Sequence, residues 1–180
     1  RLRRLTDAVH AEGALASAQI GHAGLVANTR SNRTKTLAPS TRLSPPAMGL
    51  VRGATHAELD EVVDQFGRAA RVAVESGFDA IEVHLGHNYL LSSFLSANLN
   101  KRTDEYGGSL ENRMRLPRRA IAAVRAAVGT DVAVTAKFNM ADGVPQGLWL
   151  DESLPFAAML ESAGQLDARF WEFFAWPTTW

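Results

Sequence analysis

A parallel α/β fold of the (β/α) barrel class is what this sequence predicts, and three observations carry the prediction. An amphipathic helix pattern, a glycine and an apolar strand pattern recur in that order along the chain, with the glycines at Gly13, Gly77, Gly129 and Gly164. The strand patterns, over roughly 14–20, 78–84, 132–138 and 166–173, alternate with helices long enough for right-handed crossovers, which makes the sheet parallel. In the first three, polar residues fall at i and i+2, as Ser17 and Gln19, Glu82 and His84, Thr135 and Lys137, opposite a largely apolar face. Helices on both faces of an open doubly wound sheet would make its strands apolar throughout, so one polar face points to a barrel interior. Each polar pair also ends its strand. That places Gln19, His84 and Lys137 on one C-terminal rim, where parallel α/β folds bind ligands.

Taken in order, the elements begin with Leu2, Leu5 and Val9, the apolar stripe at the end of a helix already under way, closed by Gly13. After the first strand comes a polar, proline-bearing loop over 28–52, about 25 residues and longer than most connections, which suits a cover over a site. Its start, Asn-Thr-Arg-Ser-Asn-Arg-Thr-Lys, equally suits a disordered insertion. Thr55 with Glu58 three residues later forms a capping box for the second helix, whose buried stripe is Leu59, Val62, Val63, Phe66, Ala69, Ala70 and Ala73. Ser109 caps the third helix and Asp151 is expected to cap a fourth.

The chain has 180 residues, 46% of them hydrophobic, which suffices for one sizeable core, and it reads as a single domain over 1–180. Nineteen basic residues balance nineteen acidic ones, and no long run of like charge occurs, so neither nucleic acid nor an anionic membrane is expected as a partner. A small-molecule substrate fits better. Without cysteine, disulfides and thiolate-held metal centres are excluded within these residues. No apolar stretch approaches the roughly 20 residues that span a bilayer, and a cytoplasmic location is expected.

The most informative segment follows the second strand. His84, His87 and Tyr89 put two imidazoles and a phenol within six residues of a strand end. Each has a plainer reading: His-x-x-His also begins metal sites, with Glu82 as a third ligand for a barrel lyase, and a tyrosine after a strand is often packing. Gln19 also suits an interior hydrogen bond, and Lys137 an ion pair with Glu82.

The run from His84 through Tyr89, Leu90, Phe94, Leu95 and Ser96 to Asn100, Arg102, Thr103, Asp104, Tyr106, Gly107, Gly108, Ser109, Glu111, Asn112 and Arg113 closely resembles the Old Yellow Enzyme family, also called NADH:flavin oxidoreductases. Gln19-Ile20-Gly21-His22-Ala23-Gly24 resembles that family's third-strand signature, and Lys137-Phe138-Asn139-Met140-Ala141-Asp142-Gly143 its fifth. The likeness covers 14 to about 165. It implies an enzyme on a (β/α)8 barrel that carries flavin mononucleotide (FMN), takes hydride from NAD(P)H and reduces an activated alkene of the α,β-unsaturated carbonyl class. By the resemblance, His84 and His87 hydrogen-bond the substrate carbonyl, Tyr89 donates the proton, Gln19 contacts the flavin pyrimidine edge, and Lys137 stands near the flavin N1 and C2 carbonyl. The stretch from Thr103 to Arg113 is scaffold, with Asp104 expected to pair with Arg113.

A complete barrel of this kind needs about 250 residues. The chain is therefore expected to be an internal piece, about strands 3 to 6, with a divergent aromatic tail over 168–180 that would favour self-association into a homo-oligomer. Two expectations stand side by side: a flavin-dependent reductase whose catalytic centre lies here, and a catalytically silent half-barrel that binds flavin weakly or only on association.

Overall fold

The computed structural model describes residues 1–28, 35–44 and 49–172, with backbone alone for 168–172. Residues 29–34 and 45–48 of the long loop, and 173–180 of the aromatic tail, lie outside the described residues. In chain order the elements are α1 (Leu2–Ala11), β1 (Ser17–Ile20), β2 (Arg42–Ser44), β3 (Gly49–Val51), α2 (His56–Glu75), β4 (Ala80–Leu85), α3 (Leu90–Leu95), α4 (Leu110–Arg113), α5 (Arg115–Val128), β5 (Ala133–Asn139), α6 (Leu150–Ser162) and β6 (Ala168–Glu172).

Four strands form one parallel sheet in the order β1-β4-β5-β6, which is also their order in the chain. Because the order never reverses, right-handed crossovers put every connecting helix on the same face. The result is an arc of a (β/α)8 barrel. The register sets Gln19 opposite Glu82 and His84 opposite Lys137, so the polar i, i+2 pairs lie side by side on the face away from the helices. Ile81, Val83 and Leu85 of β4 and Val134, Ala136 and Phe138 of β5 point the other way and are fully buried. There they meet Leu59, Val62, Phe66 and Ala70 of α2 and Leu116, Ala120, Ile121 and Val124 of α5. Burying such aliphatic and aromatic side chains contributes about 1.5–3 kcal/mol each, which is the main support of the arc.

The Thr55 capping box forms in full, and Ser109 accepts from the Asn112 N–H at 3.3 Å. Other expectations need correcting. Asp151 does not cap α6: Trp149 occupies that position without a side-chain bond, and Asp151 and Glu152 sit in the first turn, where they complement the helix dipole. In α2, Ala69 faces solvent and Gly67 is buried in its place, with the Ala123 carbonyl of α5 only 3.3 Å from where a Cβ would stand. In α1, Leu2 and Leu5 are exposed and Thr6 is the buried contact, its Oγ1 2.6 Å from the Ser76 carbonyl. The turn at Gly77 (φ 91°) makes that contact, since a Cβ there would lie 2.7 Å from Thr6 Oγ1. The long loop carries the antiparallel pair β2 and β3, and Ser44 Oγ donates to the Leu25 carbonyl at 2.6 Å.

Asp104 does not pair with Arg113. Arg102 reaches it through Nε and Nη2, while buried Arg113 pairs with Glu152 of α6 and donates to the Leu95 and Gly108 carbonyls. A side chain two residues away needs no fold to meet its partner. The Arg113–Glu152 pair, by contrast, depends on α4 and α6 coming together. Among the described residues, no helix is long and apolar enough to cross a membrane.

Candidate active site

β4 ends at Leu85 with His84 buried on the polar face, and the chain then turns at Gly86 to reach Tyr89, which stands at the head of α3. His87 and Asn88 take left-handed backbone angles, φ 60° and 54°. For non-glycine residues that conformation costs roughly 1–2 kcal/mol each. Packing repays it. Leu90, Leu91, Phe94 and Leu95 of α3 are essentially inaccessible, the Leu90 N–H donates to the His22 carbonyl at 2.9 Å, and Ser92 Oγ donates to the Gly86 carbonyl at 2.7 Å.

This turn folds the three predicted catalytic side chains into one cluster. The His84 and His87 ring centroids are 4.8 Å apart, His84 and Tyr89 5.0 Å, and His87 and Tyr89 6.0 Å, the phenol standing edge-on to both imidazoles. Two nitrogen-bearing rings this close can donate to a single oxygen atom, with the tyrosine hydroxyl as a separate donor beside them.

Gln19 and Lys137 flank this cluster from the neighbouring strands. Gln19 Nε2 donates to Glu82 Oε1 at 2.5 Å, one pleat below His84, which spends one amide donor on the scaffold. Lys137 lies beside His84 by register. Gly21, two residues past Gln19, keeps the surface next to His84 bare, because a Cβ there would stand 3.1 Å from His84 Cβ.

Two residues of the quoted motifs bond the segment that carries these side chains, His22 through its carbonyl at Leu90 and Asn139 at His87, although no role was expected of them. His22 accepts from the Gly24 N–H through Nδ1 at 3.0 Å, and burial holds its pKa below the usual imidazole value. Asn139 accepts from the His87 N–H at 3.1 Å. Its signal was available: Thr135, Lys137 and Asn139 continue one period-2 polar face.

The metal-lyase alternative finds no geometry. Among the described residues the clustered His and carboxylate ligand atoms belong to His56, Asp104 and Glu105, and Glu82 does not join His84 and His87. Asp104 in that group is already taken by Arg102, which holds its carboxyl below the ordinary range.

Comparison with known proteins identifies the family. The family model described as NADH:flavin oxidoreductase / NADH oxidase matches residues 1–174. The chain is 78% identical over 167 residues to a 4,4'-dithiodibutanoate disulfide reductase of Rhodococcus erythropolis, covering 93% of this chain and 41% of that protein. It is 42% identical over 132 residues to 12-oxophytodienoate reductase 1 of Oryza sativa subsp. japonica, covering 69% of this chain and 35% of the relative. The solved Old Yellow Enzyme homologue of Zymomonas mobilis superposes with a TM-score of 0.82 at 27% identity, over 94% of this chain and 51% of that one. The chain thus spans well under half the length of these two curated relatives. With the family match over residues 1–174 and the barrel arc in agreement, the chain belongs to the NADH:flavin oxidoreductase / NADH oxidase family, FMN enzymes of the Old Yellow Enzyme type that use NAD(P)H as reductant.

Proposed function

We propose that this chain forms the substrate-binding and proton-donating part of an FMN-dependent reductase of α,β-unsaturated carbonyl compounds. The observation that carries the reading is the convergence of His84, His87 and Tyr89 within 6.0 Å of one another at the C-terminal rim. His84 and His87 donate to the substrate carbonyl oxygen, where negative charge gathers as the alkene is reduced. Tyr89, held at the head of α3, gives its proton to the α-carbon. The polar face suits a flat polar ring: Gln19 and Lys137 offer an amide and an ammonium for the pyrimidine edge, and Gly21 leaves the surface beside His84 free of a side chain. When bound there, FMN supplies the hydride.

The 78% identity to a 4,4'-dithiodibutanoate disulfide reductase supports a second reading. In it the hydride goes to one sulfur of an organic disulfide, the S–S bond breaks, and Tyr89 protonates the departing thiolate.

Titration with FMN, followed by quenching of flavin fluorescence, tests cofactor binding first. Saturable binding supports either reading, and its absence would support the silent half-barrel. Stopped-flow reoxidation of the NADPH-reduced protein by cyclohexenone and by 4,4'-dithiodibutanoate then separates the two substrates. Turnover of the disulfide alone would overturn the alkene reading.

A further inference from the structure

Asn139 closes β5 two residues beyond Lys137 and is buried together with Asp142. Its side chain lies between two partners of opposite character. Asn139 Nδ2 donates to Asp142 Oδ1 at 3.0 Å, and the His87 N–H donates to Asn139 Oδ1 at 3.1 Å. A carboxylate only accepts and a peptide N–H only donates, so one orientation of the amide satisfies both partners and the flipped one satisfies neither.

Asp142 is itself pinned. Its N–H donates to the Leu148 carbonyl at 2.8 Å and its Oδ2 accepts from the Leu148 N–H at 2.8 Å. Gly147 lets the neck of this loop close, since a Cβ there would stand 2.7 Å from Asp142 Cβ. On the other side, Gly86 lets the amide approach, because a Cβ there would stand 3.0 Å from Asn139 Oδ1. The chain of contacts therefore runs from a locked loop after β5 to His87 and Asn88, two left-handed residues that persist only when their surroundings over-determine them.

We propose that Asn139 and Asp142 are positioning residues for the two-histidine grip. Asp142 decides which way the Asn139 amide faces, and the amide holds the His87–Asn88 turn that brings the His87 ring back beside His84. The assignment rests on the reading of His84 and His87 as joint donors to one substrate oxygen.

Amide hydrogen exchange and histidine-ring NMR on the isotope-labelled chain test it without any flavin. In Asn139→Ala and in Asp142→Asn, the His87 amide should exchange at least about fivefold faster, the worth of one hydrogen bond, and the His84 and His87 ring resonances should shift. Asp142→Asn keeps the side-chain size and preserves the test if Asn139→Ala fails to fold. Ser153→Ala, which removes the hydroxyl bonded to the Met140 carbonyl of the same loop, should leave the His87 amide and both rings unchanged. Wild-type exchange and ring resonances in Asp142→Asn would overturn the proposal. So would an equal change in Ser153→Ala, since the effect would then be general loosening. Binding of p-nitrophenol to the FMN-loaded wild type, seen as the yellow phenolate, reports on the grip itself. Its absence alongside the expected exchange in the variants would overturn the reading of the two histidines as a substrate grip while confirming that Asn139 and Asp142 fix the His87 turn.

Discussion

At the N-terminal end of the sheet, Asp79 and Asp167 perform the same task at two strand starts. Each uses its own N–H and a carboxylate oxygen to bond the preceding strand of the sheet, at Ala16 and Val134, all four contacts at 2.8 Å. Each carboxylate then takes a cationic or ring partner, Arg125 for Asp167 and His10 at 2.9 Å for Asp79. At the C-terminal end the sheet carries His84, the left-handed pair His87–Asn88, and Tyr89. One end satisfies its polar groups with ordinary backbone geometry. The other accepts backbone strain and gathers donors at one point. On the roles proposed for His84, His87 and Tyr89, stability and chemistry are separated along the strand axis of a single sheet, the division expected of a barrel.

The largest test of that division is Tyr89→Phe. In the FMN-loaded protein, reoxidation by enone should slow about 10²–10⁴-fold while flavin reduction by NADPH is spared. Urea unfolding should move by less than about 0.5 kcal/mol. Equal loss in both half-reactions would break the assignment of Tyr89 as proton donor.

Arg113→Ala asks whether the C-terminal end also carries scaffold. Removing a buried guanidinium leaves Glu152 and two carbonyls without it, and about 3–5 kcal/mol of stability should be lost in urea melts. A loss below about 1 kcal/mol would show that α6 docks without this pair.

A matched pair of glycines sharpens the contrast. Gly13 has φ 76° with nothing near its missing Cβ, so Gly13→Ala should cost only about 1 kcal/mol of backbone strain. Gly24 has φ 58° and a Cβ there would lie 2.7 Å from Leu90 N, so Gly24→Ala should cost roughly 2–4 kcal/mol and disturb Tyr89, the residue before Leu90. Melts of equal midpoint would show that the α3 head adapts freely.

The smallest effects are in pH. His22 has its pKa lowered by burial, so the unfolded chain takes up a proton first. The stability it contributes is whole above the ordinary value of 6.5 and is lost as pH falls below it. Asp79 and Asp167 have theirs lowered, first by backbone N–H bonds and then by His10 and Arg125. Their contribution is whole above the ordinary value of 3.8 and is lost below it. Urea midpoints between pH 7 and 5 should therefore lose slope in His22→Gln, and those below pH 4 in Asp79→Asn. The reverse pattern would contradict the roles given to these groups.

What was legible in the sequence depended on range. The Thr55–Glu58 box, the Ser109 cap and the four strand positions rest on neighbours within one turn or on a two-residue period, and all appear in the structure. The expected Asp104–Arg113 pair failed because both partners had nearer or better-placed alternatives in three dimensions. Leu2 and Leu5 carried a proper helical stripe but face solvent, since a periodic pattern shows that a helix has an apolar side without showing what lies against it.

The residues alone determined the alternation of helix and strand, the single polar face with Gln19, His84 and Lys137 on it, and the family signature through His87 and Tyr89, because these rest on local periods and spacings. The tertiary structure decided that His84, His87 and Tyr89 converge, that Asn139 of β5 accepts from the His87 N–H 52 positions earlier, and that Arg113 pairs with Glu152 of α6. The contacts of Asn139 and Arg113 join segments whose separation along the chain carries no local propensity, and only the register of β4 against β5 and the docking of helices on one face bring them together.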